Sequence, residues 1–143
     1  MKCPNDHTTL VPDEYEQIIH VEKCPICEGM WLDAGELEKI QETRLNVYED
    51  ELKRIPDYIG NAIELAKAEL EEERPCPKCQ STLVKREYGY SSQIMIDICP
   101  NCEGVWLDSG EIRELELFYE RCRMETAKMR QGFLHSLLNF FRK

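Results

Sequence analysis

The chain has no long apolar run, no excess of positive charge and few aromatic residues. No stretch approaches the roughly 20 apolar residues that span a bilayer, and the first residues, Met-Lys-Cys-Pro, carry no apolar core of a signal peptide. We therefore expect a cytoplasmic protein. Aromatic residues make up 8% of the 143 residues and charged residues 32%. Because such a chain can bury only a small core, something besides hydrophobic burial must hold its ends together.

The sequence also has none of the residue constellations of an enzyme. It contains no glycine-rich phosphate-binding loop and no grouping of nucleophile, base and oxyanion donors. The three histidines are scattered, and none neighbours a candidate nucleophile. We therefore predict a protein that is not an enzyme.

Cysteine, in contrast, is abundant. Six of the eight cysteines form three Cys-Pro-x-Cys knuckles, which are Cys24/Cys27, Cys76/Cys79 and Cys99/Cys102. In a reducing cytoplasm, paired knuckles of this kind indicate metal sites rather than disulfides.

An internal duplication organises the chain. Residues 24–37 read CPICEGMWLDAGEL and residues 99–112 read CPNCEGVWLDSGEI, while CPNDHTTLV at 3–11 aligns without a gap with CPKCQSTLV at 76–84. Each copy is a knuckle, a β-hairpin, a second knuckle and a helix start. We predict a small α+β fold of two zinc ribbons, each followed by a helix and joined by a helical linker. The predicted boundaries are 1–40 for ribbon one, 41–74 for an acidic linker, 75–112 for ribbon two, 113–131 for a helix and 132–143 for a basic amphipathic C-terminal helix.

Two features after the second knuckle recur in both copies. Asp33-Ala-Gly-Glu36 and Asp108-Ser-Gly-Glu111 fit a capping box, with Asp as N-cap and Glu at N3. Trp31 and Trp106 precede these caps, and we expect both to pack over the knuckle and hairpin as core residues rather than to form a binding platform.

Apolar residues at helical spacing follow each cap. The first stripe comprises Leu37, Ile40, Leu45, Tyr48, Leu52 and Ile55 and is interrupted by Pro56; a second helix from about Asp57 carries Ile59, Ile63, Ala66 and Leu70; a third carries Ile112, Leu115, Tyr119 and Cys122. We expect these stripes to pack on each other or across a dimer, and Cys122 to be a buried free thiol.

The second copy predicts a closed zinc site. Zinc prefers four tetrahedral Cys or His ligands, and ribbon two supplies them at C-x2-C-x19-C-x2-C spacing as Cys76, Cys79, Cys99 and Cys102. Four thiolates leave no open position, which is typical of a structural site. Such knuckles also resemble those of rubredoxin, so iron is the alternative to the preferred zinc.

The first copy leaves its fourth ligand open. Cys3, Cys24 and Cys27 supply three ligands, and Asp6 stands where ribbon two has Cys79, with His7 next to it. Ligand chemistry favours His7, because Cys3His sites are common, whereas the ungapped register favours Asp6. Only one of them is expected to bind, and we lean slightly to His7. His20 is better explained as a strand-surface residue. In total we expect two Zn²⁺ per chain.

The motif CPxC followed by GxWLDxGEL resembles the zinc-ribbon domain of the bacterial family named for its similarity to transcription factor IIB. The resemblance covers residues 3–40 and 76–115 and implies a zinc ribbon in a bacterial, cytoplasmic protein. Family members often read Cys-Pro-x-Asp-Gly at the first knuckle, which gives Asp6 a precedent, and here His7 replaces the glycine. The family name suggests transcription, although most members have no assigned function.

The distribution of charge argues against a nucleic acid as the partner of most of the chain. Residues 1–35 carry two lysines against seven acids, and residues 36–73 carry five basic residues against twelve acids, which opposes contact with phosphates. Only a patch around Lys78, Lys85 and Arg86, with Tyr88 and Tyr90, could bind a nucleic acid.

The C-terminal tail is basic instead. Residues 121–143 hold six Lys/Arg and one Glu, and GFLHSLLNFFRK at 132–143 forms an amphipathic stripe that we expect to follow a break or hinge at Gly132. Such a helix docks internally, on a partner protein or on a membrane surface. We predict an adaptor or regulatory protein that binds a partner protein through its helices and residues 132–143, with a homodimer through the helices and peripheral membrane contact as further possibilities. The alternatives are a transcription-related nucleic-acid binder and a thiol redox or metal-handling protein.

Overall fold

The computed structural model describes residues 1–43, 72–88 and 94–141, with side chains described up to residue 40 in the first of these ranges and up to residue 128 in the last. Each copy of the repeat forms three antiparallel strands and a helix. The elements are β1 (Val11–Tyr15), β2 (Ile19–Lys23), β3 (Met30–Leu32), α1 (Glu36–Thr43), β4 (Val84–Glu87), β5 (Met95–Ile98), β6 (Val105–Leu107) and α2 (Glu111–Phe141). The fold is therefore a small α+β fold, as the repeat predicts.

The two copies share one sheet. Its strand order is β1-β2-β3-β6-β5-β4, so the last strand of each copy pairs with the last strand of the other. β3 and β6 run antiparallel, and Trp31 lies directly opposite Trp106 in the register. This arrangement relates the ribbons by an approximate two-fold axis between the tryptophans. The repeat alone does not predict this pairing, because the hydrogen bonds join strands about half the chain apart.

Successive side chains of the central strands point to opposite faces of the sheet, and each face forms its own core. One core lies under the helices, and it combines apolar side chains of both ribbons and both helices: Ile19, Val21, Met30, Leu32, Leu37, Ile40, Ile94, Ile96, Val105, Leu107, Ile112 and Leu115. The other core combines the metal knuckles with Leu10, Leu83 and both tryptophans. Each ribbon is too small to bury these faces alone, and the shared sheet supplies the missing partner.

The tryptophans pack across the β3–β6 seam. Trp31 is 1% exposed and Trp106 is fully buried, which confirms them as core residues. A Cβ atom added to Gly29 would lie 2.4 Å from the Trp106 ring, and one added to Gly104 would lie 2.1 Å from the Trp31 ring. Each indole therefore occupies the space that the absent side chain of the opposite ribbon's glycine leaves free.

The predicted capping boxes form only in part. The Asp33 N–H donates to Glu36 Oε2 at 2.7 Å, and the Asp108 N–H donates to Glu111 Oε2 at 2.8 Å. The two aspartate carboxylates instead accept hydrogen bonds from the indole N–H groups of Trp31 and Trp106. The helix starts thus fix the tryptophans at the seam.

Helix α2 departs from two expectations. It continues from Glu111 to Phe141 without a break at Gly132, because one interior glycine costs a helix only about 1 kcal/mol and many helix-forming neighbours outweigh it. Cys122 was expected to be buried, and this is wrong, because Cys122 is exposed. Up to Lys128, where the described side chains of α2 end, the last buried one is Glu120, two residues earlier.

Some predictions fall outside the described residues. These are the apolar positions Leu45, Tyr48, Leu52 and Ile55, the interruption at Pro56 and the helix from Asp57 with Ile59, Ile63, Ala66 and Leu70. Within the described part of the chain, no helix combines the length and apolar character needed to cross a membrane.

Candidate metal centres

Four knuckles supply the candidate ligands, and all four have the same backbone geometry. The first ligand residue of each knuckle accepts, through its carbonyl oxygen, a hydrogen bond from the N–H four residues later, as in His7 to Cys3 at 2.9 Å and Gln80 to Cys76 at 3.0 Å. This tight turn directs the side chains at positions one and four to the same point. Backbone N–H groups also donate to the first sulfur, as in Cys27 to Cys24 Sγ at 3.4 Å and Cys79 to Cys76 Sγ at 3.5 Å.

Ribbon two brings its four predicted cysteines together. The Sγ atoms of Cys76, Cys79, Cys99 and Cys102 all lie within 4.8 Å of one another. The Cys76–Cys102 and Cys79–Cys99 sulfur pairs are 3.7 and 3.4 Å apart. A tetrahedral zinc with sulfur ligands at about 2.3 Å places sulfurs about 3.8 Å apart. The donor set and spacing therefore fit a four-coordinate zinc, and all eight cysteines of the chain are free of disulfides.

Ribbon one brings together three cysteines and an aspartate. The ligand atoms of Cys3, Asp6, Cys24 and Cys27 lie within 4.8 Å of one another. Cys3 Sγ is 3.6 Å from Cys27 Sγ, and Cys24 Sγ is 3.4 Å from Asp6 Oδ2. This group has three thiols and one carboxylate, a combination that also suits zinc.

His7 takes another role in the knuckle and is not part of this group. Its φ is 61°, and the equivalent residues of the other knuckles share this left-handed conformation: Glu28 (61°), Gln80 (64°) and Glu103 (61°). His7 therefore closes the turn, while Asp6 holds the ligand position that Cys79 holds in ribbon two. The slight preference for His7 over Asp6 is not supported by this arrangement. The left-handed conformation also explains why glycine suits this position.

His20 lies on the surface of a strand, as expected. It is an exposed residue of β2, and its Nδ1 is 3.9 Å from Glu14 Oε1 on β1.

The ligand side chains differ in how readily they ionise. Burial raises the pKa of Cys3 and of Cys76 to about 12, which favours the neutral thiol; a bound cation would offset this by stabilising the thiolate. A hydrogen bond from the Thr8 N–H to the carboxylate, 2.9 Å long, lowers the pKa of Asp6 to about 2. The hydroxyl of Ser81 lowers the pKa of Cys79 to about 5.

The residue that follows Cys-Pro in the first knuckle of each ribbon forms a hydrogen bond to the opposite ribbon. Asn5 donates from Nδ2 to Asp108 Oδ1 at 2.8 Å, and the equivalent Lys78 donates from Nζ to Asp33 Oδ1 at 2.8 Å. Lys78 lowers the pKa of Asp33. Burial opposes ionisation of Asp108, but Arg74, 2.8 Å away, lowers its pKa. These charged contacts connect the knuckles to the tryptophan seam.

The packing of the two ribbons at this seam was not predicted. The tryptophans were expected to pack over the knuckle and hairpin, but their contact with the opposite ribbon and the roles of Gly29 and Gly104 were not predicted. A signal existed, because the sequence Glu-Gly-x-Trp occurs in both copies, at 28–31 and 103–106. A glycine kept two residues before a tryptophan in both copies indicates close approach of a large group.

Comparison with known proteins agrees with this geometry. Residues 2–43 and 75–116, together more than half of the chain, match the family model described as a transcription factor zinc-finger. Each matched segment contains one complete ligand group and the start of the following helix. No curated protein and no solved structure matches the chain.

Proposed function

Because this chain belongs to the transcription factor zinc-finger family, we propose that it is a zinc-binding, non-enzymatic adaptor or regulatory protein that binds a partner protein through its helices and C-terminal tail. Cys76, Cys79, Cys99 and Cys102 would hold one Zn²⁺, and Cys3, Asp6, Cys24 and Cys27 would hold a second. Four protein ligands leave no open position for a substrate, so the metal supplies structure rather than catalysis. We place the protein in the cytoplasm, where thiols remain reduced.

The length of α2 beyond the ribbons carries the proposal. Among the side chains of α2 that are described, the last buried one is Glu120, and those from Arg121 to Lys128 are half-buried or exposed. The helix continues to Phe141, which extends it about 30 Å past Glu120. The side chains described for this extension, Arg121 to Lys128, belong to neither of the two cores. The helix would then extend from a base that the two zinc ions hold together.

The chemistry of the extension favours an acidic partner protein. Residues 121–143 carry six Lys/Arg and one Glu. Its first turns line a groove of about 510 Å³, formed by Tyr119, Cys122, Arg123, Thr126 and Ala127. Because the sequence beyond Gly132 combines apolar and basic residues, a groove with an apolar floor and acidic rim is the complementary surface.

The nucleic-acid alternative receives less support. Two of the three cations expected to contact phosphates are engaged within the protein, because Lys78 pairs with Asp33 at 2.8 Å and Lys85 pairs with Asp97 at 3.1 Å. Binding a phosphate would require these ion pairs to be exchanged, and the surrounding net charge of −10 repels the ligand.

The test is photo-crosslinking with the zinc-loaded full chain, with a crosslinking amino acid at Ala127. We expect one defined protein to be recovered from lysate. Replacing Leu134, Leu137 and Leu138 with serine should abolish recovery, whereas the control with His135 and Asn139 replaced by serine should retain it. Recovery of nucleic acid that falls steeply with salt would instead support the alternative, and equal recovery by both variants would contradict docking through the tail.

A further inference from the structure

The two metal sites have the same buried ligands and differ in the ligand that is most exposed to solvent. Cys3 and Cys24 are fully buried, as are Cys76 and Cys99 in ribbon two. The remaining cysteine of each second knuckle is half-buried in both ribbons. The fourth ligand alone changes, because Asp6 is exposed where Cys79 is half-buried. The difference between the sites is therefore concentrated in the ligand that is nearest to solvent.

The change in ligand atom weakens one bond to a borderline-soft metal. Thiolates are the soft donors that hold zinc most tightly, whereas carboxylates also suit harder ions that exchange more readily. Both sets carry the same formal charge when their ligands are ionised, so the metal loses donor softness at site one and gains no electrostatic compensation. Asp6 also has a second partner, because its Oδ1 accepts the Thr8 N–H at 2.9 Å. That bond gives the carboxylate a stable position when it is not on the metal.

Contacts with ribbon two stabilise the fold of ribbon one in addition to its metal. An isolated ribbon usually unfolds without zinc, since binding energy is folding energy. Here β3 lies in the middle of the six-stranded sheet and pairs with β6 of ribbon two. Trp31 is covered by the opposite ribbon at Gly104. The Asn5–Asp108 hydrogen bond adds a link at the knuckle itself. Ribbon two therefore supports ribbon one independently of the metal in site one.

We propose that site one is an exchangeable zinc site, in which Zn²⁺ enters and leaves on the side of Asp6 while site two keeps its metal. Asp6 is the ligand that dissociates first, and the incoming donor is a thiolate or nitrogen ligand of a competing molecule. This proposal goes beyond the adaptor function, because it gives the two ribbons different tasks: ribbon two is permanently metal-bound, and ribbon one takes up or releases one zinc per chain.

Zinc transfer to a coloured chelator tests the proposal. The full chain, loaded with two zinc ions, is mixed with excess 4-(2-pyridylazo)resorcinol, and released zinc is followed by absorbance. We expect two phases of equal amplitude whose rates differ by at least about 10-fold, the scale on which changes around a metal alter its binding. Asp6→Cys should remove the fast phase, and Cys79→Asp should make both phases fast. His7→Ala is the control and should keep the two phases of the unaltered chain.

Tryptophan fluorescence recorded during the fast phase gives a second readout. Both tryptophans lie in the seam, so an unchanged signal during the fast phase would show release from a folded ribbon. A single phase in the unaltered chain would overturn the proposal. So would a fast phase that survives in Asp6→Cys, or loss of the seam signal at the rate of the fast phase. Partner docking does not involve Asp6, so the crosslinking result stands or fails independently.

Discussion

The tryptophan seam can be tested by adding one methyl group. In Gly104→Ala, the new Cβ would lie 2.1 Å from Cζ2 of Trp31, 2.6 Å from Cη2 and 2.9 Å from Cε2, whereas ordinary van der Waals contact lies at 3.4–4 Å. Trp31 is 1% exposed, so its ring has no free volume to move into. Either the ring leaves its position or β3 and β6 separate.

The loss of stability in Gly104→Ala can be estimated from this overlap and compared with that of a control substitution at another glycine. Overpacking in a core costs about 1–3 kcal/mol. We expect about 3 kcal/mol or more here, because three atoms of the Trp31 ring overlap the added Cβ, which the backbone holds in place. Gly110→Ala is the control: its φ is +87°, and nothing lies within 4 Å of the added Cβ. Backbone strain alone should then cost about 1 kcal/mol. The two alanine variants should therefore differ by about 2 kcal/mol.

Denaturant unfolding of the zinc-loaded chain, followed by tryptophan fluorescence, measures this difference. Adding Trp31→Phe to Gly104→Ala should recover part of the loss, because the smaller ring relieves the overlap, with a coupling energy above about 1 kcal/mol. If Gly104→Ala and Gly110→Ala cost the same, Trp31 does not pack on ribbon two and the shared sheet is wrong.

Three further predictions concern single side chains. Burial raises the pKa of Glu111 to about 8, so the folded state binds its proton more tightly than the unfolded chain, and this group's contribution to the free energy of unfolding falls as pH rises from about 4.5 to about 8. Glu111→Gln should therefore gain stability relative to the unaltered chain, by up to about 5 kcal/mol across that window, in urea titrations at matched zinc. A difference that does not change with pH would contradict this, and Glu36→Gln is the matched substitution in ribbon one. His7→Gly should stabilise the chain by about 0.5–1 kcal/mol, because φ is 61° there, and should leave zinc content by elemental analysis unchanged; loss of one zinc would make His7 the fourth ligand. Gln17→Gly should raise stability by a similar amount, since Gln17 has φ 64° in the hairpin turn, and an unchanged melting temperature would contradict that conformation.

The local parts of the fold could be predicted from the sequence because their geometry is local. A Cys-Pro-x-Cys turn fixes two ligands three residues apart, and the repeat shows the same pattern twice. The family, the two copies and the grouping of the cysteines are confirmed. The structure groups Asp6, and not His7, with the three cysteines of ribbon one, which agrees with the ungapped register of the repeat rather than with the preference from ligand chemistry.

The long-range parts could not be predicted in the same way. Helical spacing placed Cys122 on the apolar face of α2, yet Cys122 is exposed and the last buried side chain before Lys128 is Glu120. Periodicity does not show where a neighbouring element stops. The β3–β6 pair is three residues long on each side, too short to leave a pattern distinct from that of an edge strand. The contacts of Asn5 and Lys78 with the opposite ribbon depend on this pairing.

Joining two ribbons in one chain allows them to differ, and the described contacts use that freedom. In a symmetric dimer of a single ribbon, every substitution appears on both sides of the axis. Here the equivalent positions hold Asn5 and Lys78, so one seam contact is a neutral hydrogen bond to Asp108 and the other an ion pair with Asp33. Arg74, which precedes ribbon two, lies 2.8 Å from Asp108 and 3.1 Å from Asp97, so Asp108 also has a cation beside it although Asn5 is neutral. Both seam aspartates therefore have a cationic neighbour, and the asymmetry between the ribbons extends from the ligand sets to the contacts around them.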